Sequence, residues 1–79
     1  MTREKTLQLL ITFPSAVAAM DMEDMAREFG IPGRLIPIPT VITAGCGLAW
    51  KTEPEQRERL ERILREYDMP FDRFYTMML

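Results

Sequence analysis

One residue in this chain has nucleophilic chemistry within reach. Cys46 is the single cysteine. It stands in Ala44-Gly45-Cys46-Gly47-Leu48-Ala49, in a chain with no histidine. Glycine on both sides removes two side chains that would shield the sulfur. Glycine also permits φ > 0, so that successive backbone N–H groups can point at one spot. Such a concavity favours an anion, and the nucleophilic form of cysteine is the anionic thiolate. The loop expected to hold an anionic adduct comprises Gly45, Gly47, Thr40 and Thr43, and the candidate charge partners nearest in sequence are Arg34 and Lys51.

The chemistry open to a lone thiol is narrow. With no resolving cysteine it cannot cycle like a C-x-x-C pair. Without histidine there is no His-activated nucleophile, no His–metal site and no histidine acid or base. A structural zinc site lacks ligands, so neither a metal nor a cofactor is expected. What remains is to hold sulfur or selenium as a persulfide-type adduct, to form a mixed disulfide with a partner protein, or to pair across a dimer. The bland alternative is a small buried hydrophobe whose flanking glycines only make a turn.

The elements that must position this cysteine can be read from periodicity. Thr6 to Phe13 alternates as a strand, with Leu7, Leu9, Ile11 and Phe13 on one face, and Pro14 ends it. Ser15 is the candidate N-cap of a helix running to Phe29, whose apolar stripe is Ala18, Met22, Met25, Ala26 and Phe29. Gly30 is its stop, with Pro32 beyond. Arg34 to Ile38 is a second strand that Pro37 and Pro39 confine to an edge. Thr40 to Gly45 is a loop, and Gly47 to Lys51 a third strand with Leu48 and Trp50 on one face and Ala49 on the other. Thr52-Glu53-Pro54-Glu55 reads as a capping box. The second helix runs to Tyr67 with Leu60, Ile63, Leu64 and Tyr67 as its buried stripe, and with ion pairs Glu58/Arg62 and Glu61/Arg65. After the turn Asp68-Met69-Pro70, Phe71 to Leu79 is the last strand.

The order is βαββαβ. Right-handed crossovers then predict an α+β ferredoxin-like sandwich, a four-stranded antiparallel sheet in order 4-1-3-2 with both helices on one face. A chain of 79 residues is expected to be one domain, 1–79, burying about 60% of the surface its unfolded form exposes. Hydrophobic residues are 47% and charged residues 28%, a globular composition. No apolar run reaches the length of a membrane span, and the N-terminus reads as a strand, not a signal peptide. A cytoplasmic protein is expected. The net charge of −2 argues against a nucleic-acid partner. Arg57, Arg59, Arg62 and Arg65 alternate with glutamates and read as a solvated helix face. Of the seven methionines, Met22 and Met25 lie on the apolar stripe and read as core filler, not as copper ligands. Leu10, Ala49 and some of Phe74, Tyr75, Met77 and Met78 are expected to make the sheet's other face apolar, and a homodimer or docking partner is expected through that open face or the C-terminal strand.

A resemblance adds to this reading. Ile11-Thr12-Phe13-Pro14-Ser15, Gly30-Ile31, Leu35-Ile36-Pro37-Ile38-Pro39 and Cys46-Gly47-Leu48-Ala49 follow one another with the order and spacing of the selenium/sulfur (Se/S) carrier protein-like family. This chain resembles that small bacterial domain family over nearly its whole length. The resemblance implies a carrier cysteine at Cys46 in sulfur or selenium traffic, with donor and acceptor proteins as partners. An arginine commonly follows the second proline in that family, where this chain has Thr40. Small hydroxyl residues commonly precede the cysteine, where it has Ala44 and Gly45.

Three functions are therefore weighed. The first is a thiol carrier acting through Cys46. The second is a non-catalytic interaction or ligand-binding module with an inert cysteine. The third, a free-standing enzyme, is disfavoured because no acid or base clusters with Cys46 in sequence.

Overall fold

The computed structural model describes residues 5–42 and 46–79. The elements in chain order are β1 (Leu7–Thr12), α1 (Ala16–Phe29), β2 (Arg34–Pro37), β3 (Leu48–Thr52), a 3₁₀ turn (Pro54–Gln56), α2 (Arg57–Glu66) and β4 (Phe74–Met78). The four strands form one sheet in the order β2-β3-β1-β4, which is 4-1-3-2 read from the other edge. Every neighbouring pair is antiparallel. No helix among the described residues is long and apolar enough to cross a membrane.

The register decides the two faces. Ile11 lies opposite Trp50 on β3 and Phe74 on β4. These residues, with Leu9 and Phe13, pack against Ala18, Ala19, Met22, Met25 and Ala26 of α1 and Leu60, Ile63 and Leu64 of α2. Both helices therefore cover the face that carries the odd-numbered side chains of β1. α1 starts where Ser15 accepts a hydrogen bond from the Ala18 amide at 3.1 Å. It stops at Gly30, and the Ile31 amide returns to the Ala26 carbonyl at 2.8 Å.

The other face is not simply open. Leu10 and Ala49 are both fully buried there, beneath Ile42 from the segment after β2. Ile36, Ile38, Tyr75, Met77 and Leu79 pack around them. Of the four β4 residues from which this face was expected to draw, Tyr75 and Met77 lie on it, and Phe74 and Met78 belong to the other. Phe74 packs in the helix-side core. Met78 is paired with Leu7, so it shares the face of Leu9 and Ile11, and it is 55% exposed.

The start of the second helix also differs from expectation. Thr52 does not cap it. Thr52 is buried as the last residue of β3, and its hydroxyl donates to the Pro32 carbonyl at 2.7 Å. A buried hydroxyl requires a partner, and that carbonyl supplies one. The chain then makes the 3₁₀ turn, and neither Glu53 nor Gln56 forms a side-chain cap. Glu61 pairs backwards with Arg57 at 2.7 Å, not forwards with Arg65. The Arg57 guanidinium also lies 5.1 Å above the Phe74 ring, a cation–π contact. Tyr67 lies beyond the helix end and is 54% exposed, tilted against Phe29 with centroids 5.3 Å apart. The last strand begins at Phe74 and not at Phe71, because residues 71–73 first close against the end of β1. The Asp72 amide donates to the Thr12 carbonyl at 2.7 Å.

The small second core yields a direct check. Leu10→Ala leaves a cavity between the sheet and Ile42, and about 3 kcal/mol of destabilisation is expected. Urea denaturation followed by far-UV circular dichroism reads it. A loss near zero would mean that this face carries no core.

Candidate functional site

Cys46 follows from the way β3 is launched. It is the turn residue two positions before Leu48, half-buried, and packed against the helix-side core. Its amide donates to the Phe13 carbonyl at 3.3 Å. Its thiol points forward along the chain and donates to the Leu48 carbonyl oxygen at 3.8 Å. Phe13-Pro14-Ser15 is the connection from β1 to α1. The cysteine therefore sits beside the start of a 14-residue helix. The first turn of any helix presents amides that its own backbone does not use, and Ser15 answers one of them. The positive end of the helix dipole and free N–H groups favour an anion nearby.

Gly47 is required by conformation and not by space. Its φ is +84°, and a Cβ built there meets nothing within 4 Å. The residue after the cysteine thus turns the chain into β3 by a backbone geometry that L side chains resist.

The remaining candidate residues divide. Thr43 and Gly45 lie outside the described residues, and with them the proposed concavity of backbone amides. Thr40 is exposed in the turn where the Ile42 amide bonds the Pro39 carbonyl at 2.9 Å. Arg34 and Lys51 are brought together, but with each other: they are opposite partners in the β2–β3 ladder. In the same ladder Pro37 faces Leu48, so the Cys46 end is the other end. At 3.3 Å per residue, Lys51 lies ~10 Å along the strand from Leu48, and Cys46 is farther still. The physical reason is register. Sequence distance from Cys46 counts residues, whereas an antiparallel hairpin returns Arg34 to the far end of β3.

The contact with the Phe13 carbonyl had no signature in the sequence beyond Pro14. It arises because β1 and β3 are neighbours in the sheet, a fact of topology and not of local spacing. Among the described residues, no group of three or more Cys, Asp or Glu side chains gathers into a metal-ligand cluster.

A family model described as "Putative Se/S carrier protein-like" matches residues 8–76, a span that includes Cys46. The chain belongs to this family. No curated protein and no solved structure matches it.

The turn after Cys46 can be probed directly. Gly47→Ala forces a side chain onto φ +84° and is expected to cost about 1–2 kcal/mol, with no steric clash to add to it. Urea denaturation measures the loss. An unchanged midpoint would show that the positive φ is not required.

Proposed function

We propose that this protein is a small carrier, not an enzyme, and that Cys46 is the atom that carries. Membership of the Se/S carrier protein-like family supports the reading. So does the place of the only thiol, half-buried at the rim of the sheet beside the start of α1. In the sulfur case, the Cys46 thiolate attacks the outer sulfur of a donor persulfide. The new S–S bond makes Cys46–S–SH, and the donor leaves as its thiolate. An acceptor thiolate then takes the outer sulfur in the same way, and Cys46 is released as thiolate. No electrons enter or leave, which is why one cysteine suffices. Selenium follows the same exchange with an S–Se bond. We read the βαββαβ order with both helices on one face as a ferredoxin-like sandwich serving as the rigid mount.

The rival reading is an inert cysteine in a binding module. The Sγ contact with the Leu48 carbonyl and the packing against the core favour it. Iodoacetamide labelling of the native protein, followed by intact mass, separates the two. The carrier reading expects labelling in native buffer within a factor of roughly ten of the rate in denaturant, since a carrier thiol must be reachable. Incubation with a cysteine desulfurase and cysteine is then expected to add about 32 Da, one sulfur atom, reversed by a reductant. A thiol that labels only in denaturant and never gains that mass would establish the inert module.

A carrier must dock, and we place a self-docking contact at β4. This strand is one edge of the sheet, whereas the other edge, β2, contains Pro37, which has no N–H to donate. Phe74–Met78 carries no charge and no proline, the composition of an unprotected edge. Antiparallel pairing of two copies about Thr76 would set Tyr75 against Met77 of the second copy. Light scattering behind gel filtration at low micromolar concentration is expected to give a dimer, and Thr76→Pro to give a monomer. A monomeric parent protein would exclude this contact.

A further inference from the structure

Between α1 and the end of α2 runs a groove that is apolar along its length and acidic beside it. Met25, Phe29, Tyr67 and Met69 give it an apolar lining, and its volume is about 310 Å³. Met25 is buried, Phe29 and Met69 are half-buried, and Tyr67 is the exposed member. The Tyr67 ring leans on Phe29, yet more than half of the residue remains open to solvent. The other lining side chains are Asp21, Asp24 and Glu28, all exposed. No lysine or arginine lines the groove.

The three carboxylates share one side of α1, because Asp21 and Asp24 stand three positions apart and Asp24 and Glu28 four. Like charges at that spacing destabilise a helix. Glu28 also stands in the last turn, where the helix dipole favours a cation. Asp24 pairs with Arg27 at 3.2 Å. Among the described residues, neither Asp21 nor Glu28 has an ion pair. Arg59 reaches across from α2, but it donates to the Phe29 carbonyl and does not line the groove. The helix thus carries acid where its own stability is better served without it, beside an aromatic ring that the core leaves half uncovered. A cation attached to an apolar group answers both.

We propose that this groove docks a basic amphipathic segment of a partner protein. One or two apolar side chains of that segment lie against Phe29, Tyr67 and Met69, and its lysines or arginines meet the carboxylates. Length favours a peptide over a small ligand. Asp21 to Glu28 spans ~10 Å at 1.5 Å per helical residue. An extended segment covers that distance in about three residues, so cations on both sides of an apolar anchor reach both ends of the acidic row. A lone amine reaches one. Charge selects the class of partner, since three carboxylates repel the phosphates of nucleic acid and of acidic lipid headgroups. The exposed Tyr67 ring also offers a face to an arginine. Cys46 does not line the groove, and the proposal stands whether or not that thiol carries sulfur.

The probe is a fluorescein-labelled peptide with leucine and phenylalanine at its centre and two arginines on each side. Its binding is read by fluorescence anisotropy at physiological ionic strength, where exposed charges are screened beyond about 8 Å. A Kd on the order of 100 μM is expected. One control peptide carries glutamates in place of the arginines, and a second carries alanines in place of leucine and phenylalanine. Each is expected to bind at least about tenfold more weakly. Asp21→Asn combined with Glu28→Gln is expected to weaken the parent peptide about tenfold. Both side chains are exposed, so this variant leaves the core untouched. Glu53→Gln combined with Glu55→Gln removes the same amount of charge from exposed positions outside the groove, and is expected to leave the Kd unchanged. No binding of the parent peptide, equal binding of the alanine peptide, or equal effects of the two double variants would overturn the proposal.

Discussion

The residues from Leu9 to Phe13 are each no more than 1% exposed, and the rest of the chain is arranged to keep that stretch dry. β1 is hydrogen-bonded on both edges, to β3 and to β4. Leu9, Ile11 and Phe13 face the helices, while Leu10 faces the smaller core on the opposite side. A strand buried on both faces cannot leave a polar group unanswered. Thr12 shows how this is met. Its hydroxyl lies 3.3 Å from both Asp72 Oδ2 and the Arg73 carbonyl, either of which can take its proton, and it accepts the Arg73 amide at 3.2 Å. The segment before β4 is thereby tied to the end of β1, which is why β4 begins where it does.

The candidate site inherits its position from that strand. The carbonyl of Phe13, at the end of the buried run, takes the amide of Cys46. The chain lies on one side of the sheet at Ile42, in the smaller core, and on the other side at Cys46, against the larger one. Cys46 is thus half-buried against the helix-side core, next in the chain to the start of β3. A rim is the place a 79-residue chain has for chemistry, because its one thickness of core cannot also enclose a cleft.

The β2–β3 pair has two chemically different ends. One leads to Cys46 through a glycine in a left-handed conformation. The other sets Arg34 opposite Lys51 beside a buried tryptophan and a glycine that no other residue can replace without collision. The two edges of the sheet differ as well. β2 is blunted by Pro37, whereas β4 presents an uncharged strand. Both asymmetries belong to the same short chain.

Much of this was legible from residue types and periodicity. The order of elements, the strand order, the Ser15 cap, the Gly30 stop, the edge place of the proline strand and the apolar stripe of α1 follow from local rules. The caps, the stop and the stripe depend only on residues a few positions apart, and the strand order follows from the element order through the handedness of the crossovers. Cys46 stood out because it is the only thiol, and the family resemblance rested on motifs read in order. What local rules could not decide were partnerships made across the sheet. Thr52 left its capping box because Pro32, 20 residues away, offered its hydroxyl a carbonyl. Glu61 pairs with Arg57, whose guanidinium also lies over the Phe74 ring of a distant strand. Arg34 and Lys51 met each other instead of the sulfur because an antiparallel register, not sequence distance, sets which residues are opposite. The sequence alone thus determined the order of the elements and singled out the one thiol. The surroundings of that residue, and of every polar group that must be satisfied in the interior, were decided by tertiary contacts, because hydrogen bonds and charge pairs depend on distances that only the packed sheet defines.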